Sequence, residues 1–197
     1  MKCVRPGDGS THRGGERSPA TLATYMVQPT ADLRATFLAA MREFAAETGT
    51  TDADGHTVAE LEAADFLETY TQELCDGTCL RVGVEPLRCC EWWLVETDPS
   101  GPVYLGRVSL RRYPGRGWGH LDFAIRPSRR REGHGTALLA LALPIARANG
   151  VPEPVLVCDE GHVAARKVIE GNDGRLVKVD AGRSWYRVPA TGSRLRL

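Results

Sequence analysis

The chain has 197 residues, with 25 Lys or Arg and 25 Asp or Glu, so its formal net charge is zero. That length suits one compact domain with room for a core. Balanced charge gives no electrostatic argument for nucleic acid or an anionic membrane as partner, and no apolar run approaches the about 20 residues that a bilayer span needs.

Residues 1–24 are rich in Gly, Ser, Arg and Pro and lack an apolar signal core. They read as a flexible tail, with ordered-looking sequence beginning near Met26. Residues 25–190 read as a single domain and 191–197 as a short C-terminal tail. Without a secretion signal, the expected setting is cytoplasmic, and Cys3, Cys75, Cys79, Cys89, Cys90 and Cys158 are expected as reduced thiols. Cys75, Cys79, Cys89 and Cys90 have poor spacing for a zinc site, and adjacent cysteines in a strand point to opposite faces, so no metal is expected.

Ala31 to Thr48 carries Leu33, Phe37, Leu38, Met41 and Phe44 at helical spacing, and Thr57 to Leu74 carries Val58, Leu61, Phe66, Leu67 and Tyr70. Two helices are predicted, joined by a polar loop from Gly49 to His56. Strands follow at Cys89–Glu96 and Val103–Arg112, with Asp98-Pro99-Ser100-Gly101 as the hairpin turn. Pro114 to Gly119 is a second turn, and Gly119–Arg126 a third strand stopped by Pro127. A helix is predicted from Gly133 to Asn149, ended by Gly150, with Pro144 inside it expected to kink it or cut it short. A buried strand at Val155–Cys158, a helix at His162–Glu170 and a hairpin of Leu176–Val179 and Trp185–Val188 complete the chain. This order of elements indicates an α+β fold.

Charge is segregated along the sequence. Glu43 to Asp76 holds ten carboxylates and no Lys or Arg, whereas Arg107 to Arg131 holds eight arginines and one carboxylate, Asp122. Each run fits a solvated face; together they also fit a division in which the basic half holds an anion and the acidic half attracts a cation.

Arg130-Arg131-Glu132-Gly133-His134-Gly135 lies between the strand Leu121–Ile125 and the long helix. Glycines at a helix mouth remove side chains where the backbone must approach something closely, and the free N–H groups of the first turn favour an anion. Arginines just upstream add positive charge, so a phosphate-bearing ligand is indicated. Helix–strand packing is the alternative reading of Gly133 and Gly135. No Gly-Lys-Ser/Thr triplet follows and no third glycine completes G-x-G-x-x-G, which excludes P-loop and dinucleotide sites.

The stretch Asp122 to Gly135, D-F-A-I-R-P-S-R-R-R-E-G-H-G, resembles the acyl-CoA site of the GNAT N-acetyltransferases, and Cys158 to Gly174 resembles the second acyl-CoA segment of that family. The resemblance implies a mostly antiparallel twisted sheet of about six to seven strands, with a splayed strand pair and helices on both faces. It implies acetyl-CoA as co-substrate, its pantetheine arm along the backbone of Phe123, Ala124 and Ile125. Its pyrophosphate would lie on the amides of Arg131, Glu132, Gly133, His134, Gly135 and Thr136, with Arg130 at the first motif position. His162 replaces the usual Asn of the second segment, and Ile169 stands where many members keep a Tyr acid.

The implied reaction is attack of an amine on the acetyl thioester without a covalent acyl-enzyme. Strand alternation puts His120, Asp122 and Ala124 on one face. His120, with an intrinsic pKa of about 6.5, is a candidate base or a turn-end surface histidine; Asp122 orients or replaces it, and Glu91 is an outside candidate. The backbone N–H near Ala124 can serve the oxyanion. The expected acceptor is a small cationic amine, from the acidic Glu43–Asp76 region, and a homodimer is possible. The alternatives are a non-catalytic acyl-CoA-binding sensor or partner module, and a protein-lysine or aminoacyl transferase.

Overall fold

The structure, a computed structural model, describes residues 23–79, 87–113 and 118–190. In chain order its elements are β1 (Thr24–Val27), α1 (Arg34–Thr48) entered through a 3₁₀ turn (Ala31–Leu33), α2 (Val58–Glu62), α3 (Phe66–Cys75), β2 (Thr78–Cys79), β3 (Leu87–Glu96), β4 (Val103–Arg111), β5 (Leu121–Ile125), α4 (His134–Ala148), β6 (Val155–Asp159), α5 (Val163–Glu170), β7 (Arg175–Asp180) and β8 (Arg183–Arg187). Seven strands run in the order β1-β3-β4-β5-β6-β8-β7, and the two-residue β2 pairs with β3. Every neighbouring pair is antiparallel except β5 and β6, which are parallel and share one register pair, Leu121 with Leu156. The α+β class and the splayed pair are therefore as expected.

Trp92 and Trp93, adjacent in β3, point to opposite faces of the sheet and into two separate cores. On one face Trp92 joins Leu105, Val108, Leu138, Leu139, Leu143 and Tyr186, beneath α4. On the other, Trp93 joins Phe37, Met41, Leu67, Tyr70 and Tyr104, beneath α1 and α3. There Phe37 stacks on Trp93 at 4.6 Å between ring centroids, and Tyr104 meets both rings edge-on at 5.3 and 5.1 Å. Aromatic pairs of this kind favour offset or edge contacts because of the ring quadrupole.

The β3–β4 register shifts between Leu94, opposite Gly106, and Val95, opposite Tyr104. The extra residue, Leu105, bends β4 where it meets the far end of β5. A Cβ at Gly106 would lie 2.2 Å from the Ala124 carbonyl oxygen, so only glycine lets the strands close here.

Four sequence expectations are corrected. Thr24 belongs to β1, which pairs with β3, so the tail expected over 1–24 is too long by at least one residue; its remainder through residue 22, the tail at 191–197 and Pro114 to Gly117 lie outside the described residues. The helix expected over Thr57–Leu74 is broken into α2 and α3 at Ala63–Asp65. Asp65 has φ +60, and Arg34 Nη2 donates to the Glu62 and Ala63 carbonyls at 2.7 and 3.2 Å, satisfying the end of α2. Of the two outcomes expected of Pro144, a kink or a shortened helix, the shortening does not occur: α4 continues to Ala148. Pro144 sits on the exposed face, where solvent can bond the carbonyl its ring leaves unpaired, while Leu143 and Ala146 anchor the helix from inside. Finally, Cys89 and Cys90, on opposite faces of β3, are each in a disulfide, against the expectation of thiols throughout; Cys75 and Cys158 are free. No helix among the described residues is long and apolar enough to cross a membrane.

Candidate functional site

Beyond Leu121 and Leu156 the ladder between β5 and β6 stops, and a cleft of about 770 Å³ opens between their C-terminal halves. Phe123, Ala124 and Ile125 form one wall, Val157, Cys158 and Asp159 the other, and Val168 and Ile169 of α5 close the back. The mouth is the turn entering α4. Arg130, Arg131, Gly133, His134, Gly135 and Thr136 all line the cleft, as does His162 before α5. Of the residues proposed from sequence for the donor, only Glu132 does not line it; its carboxylate holds Arg129 Nε at 3.0 Å and His134 Nε2 at 3.2 Å.

The two glycines have different roles. Gly133 is the N-cap of α4 with φ +86, and open space surrounds the position of a Cβ. Gly135 would place a Cβ 3.1 Å from Val168, so it serves close packing of α4 on α5. The first intrahelical bond runs from Ala137 N–H to Gly133 O, which leaves the amides of His134, Gly135 and Thr136, all three lining the cleft, outside the helical ladder. Arg131 is held at φ +71 just before them. Consecutive amides flanked by left-handed residues form an anion-binding concavity. Asn172 ties the base of this turn: its Nδ2 donates to Val168 O at 2.9 Å and to Thr136 O at 3.3 Å.

The arginines upstream of the turn are engaged by carboxylates. Arg126 meets Glu43, Arg129 meets Glu96 and Glu132, and Arg130 meets Glu47. Sequence reasoning missed Glu47, Lys167 and Arg183, which also line the cleft. A signal for Glu47 was present: Glu43 and Glu47 repeat the four-residue spacing of Arg126 and Arg130.

His120 and Asp122 lie outside the cleft lining, at the closed end and on the α1 face respectively. His120 is built into the joint between β5 and β6. Its N–H donates to Val155 O, and its ring Nδ1 accepts from Val155 N–H at 3.1 Å. A neutral imidazole bonded in this way carries its proton on Nε2. Burial, then Arg187, pull its pKa below the ordinary value. Asp122 is partly exposed and accepts from Arg107 Nη1 at 3.2 Å.

Arg107 centres a buried polar network on that face. Its Nε and Nη2 bond the two Asp52 oxygens at 2.8 and 2.6 Å, and Nη1 also donates to Ser109 Oγ at 3.0 Å. Ser109 Oγ donates to Glu91 Oε2 at 2.9 Å, and Trp93 Nε1 donates to Glu91 Oε1 at 2.9 Å. Burial opposes the charge of Arg107, but Asp52, Asp122 and Glu91 outweigh it and raise its pKa. Burial dominates at Glu91 and raises its carboxyl to about 7, with Arg107 pulling the other way. Among the described residues, no group of three or more His, Cys, Asp or Glu is placed to hold a metal ion.

The sequence pattern of the acetyltransferase (GNAT) domain matches residues 26–175. No curated protein sequence matches the chain significantly. Among solved structures, yncA from Salmonella typhimurium, with its cofactor acetyl-CoA, superposes with a TM-score of 0.53 at 14% identity, covering 87% of this chain and 96% of that one. A GNAT-family acetyltransferase from Bacillus anthracis gives 0.57 at 8% identity, with 85% and 95% covered. The paia N-acetyltransferase from Thermoplasma acidophilum, in complex with coenzyme A, gives 0.50 at 14% identity, with 85% and 99% covered. At these identities the likeness is one of fold.

Proposed function

The chain belongs to the GNAT acetyltransferase family, and from that premise we propose that it transfers the acetyl group of acetyl-CoA to the primary amine of a small, cationic acceptor by direct attack. The observation that carries this is the parallel strand pair that parts after one register pair and opens onto the N-terminus of α4. A thioester arm fits between strands whose backbone ladder has ended, and a diphosphate fits the amides of Arg131 to Thr136. Acetyl-CoA supplies the activated acetyl group.

The chain's own residues have three tasks. Asp122 takes the proton of the amine, on the face that α1 and α3 leave partly open. The bond from Arg107 Nη1 orients that carboxylate. His120 is a weaker choice, since its Nδ1 lone pair already receives the Val155 N–H. A β5 amide near Ala124 donates to the oxyanion that develops on attack. At the matching helix position Ile169 has no proton to give, and the hydroxyl of Tyr186 donates to Glu170 instead at 3.0 Å. The sulfur therefore departs as thiolate, which a thiol pKa of about 8.5 allows near neutral pH.

What supports a cationic acceptor is the partly exposed carboxylate of Asp122 on this face, with Asp52 beside it on Arg107. An amine panel incubated with acetyl-CoA, read by thiol release, tests the proposal; turnover on polyamines or amino sugars is expected. Binding of acetyl-CoA with no turnover on any amine would favour a sensor module, and turnover confined to proteins or charged RNA would favour the protein-lysine or aminoacyl reading.

A further inference from the structure

Helix α1 carries two glutamates one turn apart, and both reach across to the turn that precedes α4. Glu43 Oε1 accepts from Arg126 Nε at 2.8 Å, and its Oε2 accepts from the Ser128 N–H at 3.0 Å. Arg126 and Glu43 are both largely buried there. Burial works against the Glu43 charge, but the bonds from Arg126 and Ser128 outweigh it and hold the carboxyl below its ordinary range. One turn on, Glu47 Oε1 accepts from Arg130 Nη1 at 2.7 Å. Glu47 and Arg130 are about half exposed, and both line the donor cleft. Arg130 is held in place by more than this pair: its Nε donates to Ile125 O at 3.0 Å, and its guanidinium lies 5.6 Å from the centre of the Phe44 ring.

The geometry points to opposite roles for these carboxylates toward the donor: Glu43 positions the diphosphate turn, whereas Glu47 lowers donor affinity by competing with the diphosphate for Arg130. This rests on acetyl-CoA being the donor. Glu43 reaches the turn by a backbone amide and by the arginine that begins it, so it fixes where the Arg131–Thr136 amides lie. Glu47 touches no backbone of the turn. It neutralises Arg130 at the cleft rim and sets a negative charge beside the path of a dianion. Without Glu47, Arg130, still anchored through Nε to Ile125, would present Nη1 and Nη2 in a planar fork that suits phosphate as well as carboxylate. Removing the Glu47 charge should therefore release a preformed phosphate ligand. A half-exposed charge in a water-like dielectric is worth little, which sets the expected gain at about three- to tenfold.

Calorimetric binding of acetyl-CoA and of S-acetylpantetheine, which lacks the diphosphate, to the full chain tests this. Glu47→Gln is expected to bind acetyl-CoA about three- to tenfold tighter, with S-acetylpantetheine unchanged. The gain should vanish in the Glu47→Gln/Arg130→Gln double variant, a coupling that a merely structural role would not produce. Glu43→Gln is expected to bind acetyl-CoA about tenfold weaker; where that variant does not fold, Glu43→Asp, which keeps the charge and shortens the reach, is expected to weaken binding in the same direction. Equal or weaker acetyl-CoA binding by Glu47→Gln, or an equal gain for S-acetylpantetheine, overturns the role of Glu47. Wild-type affinity in the Glu43 variant overturns the role of Glu43. A wild-type chain that binds no acetyl-CoA at all would instead remove the donor assignment itself.

Discussion

Arg107 grips Asp52 with two parallel bonds, at 2.6 and 2.8 Å, and so fixes the α1–α2 connection to the middle of β4. Replacing Arg107 by Met would leave Asp52, Asp122 and Glu91 facing one another without their shared cation. A loss of about 3–5 kcal/mol is expected in urea unfolding at pH 7, the cost of breaking a buried pair from one side. A loss below about 1 kcal/mol would show that the connection is held by other means.

Glu91 gives the protein a pH signature. The native state keeps this proton up to about pH 7, whereas the ordinary carboxyl value is 4.5. Between those limits the folded chain binds more protons than the unfolded one. The group therefore removes stability as pH rises through the window, by roughly 3 kcal/mol in all. In Glu91→Gln that loss should be missing, so the stability of the variant relative to wild type should climb from pH 4.5 to 7 and level off above. A pH-independent difference would mean that Glu91 is ionised throughout.

Asp122 and His120 separate by kinetics. With an amine substrate in hand, Asp122→Asn is expected to lower kcat about a hundredfold or more, the usual contribution of a positioned base. His120→Ala should leave kcat within about threefold but lower the melting temperature, because it removes the acceptor of the Val155 N–H. The reverse pattern would return the base to His120.

Gly133 is required for its backbone conformation and Gly135 for its lack of bulk. Gly133→Ala places a side chain at φ +86 in open space, so the expected cost is backbone strain of about 1 kcal/mol with weaker acetyl-CoA binding. Gly133→Asn should recover part of both, since Asn tolerates the left-handed region. If Ala and Asn behave alike, the left-handed N-cap is not what shapes the turn.

Periodicity and turn chemistry carried most of the fold. The helix ending at Gly49, the β3–β4 hairpin, α4 and α5 lie close to where residue spacing puts them. What spacing could not carry was tertiary. The break at Asp65 depends on Arg34 reaching carbonyls nearly thirty residues away. Among the described residues, β1 is a short edge strand paired with β3 alone. At the candidate site, the turn entering α4 could be located as a unit because its residues are contiguous. The Arg107 network was not: Asp52, Glu91, Ser109 and Asp122 come from four separate segments, and in sequence Arg107 reads as one more member of a basic run.

The joint at Leu121 and Leu156 also has a mechanical meaning. It divides the sheet into two plates, β1-β3-β4-β5 and β6-β8-β7, that share one ladder rung, reinforced by the His120 bonds to Val155. Each plate is internally cross-linked by antiparallel ladders; between them the load passes through that rung and through α4, which packs on β4 and β5 and against α5. An occupant of the cleft that bonds both strand edges would act as the missing rungs. Donor binding would then stiffen the molecule as a whole, and slow amide exchange should spread from the two plates to the strand edges that border the gap.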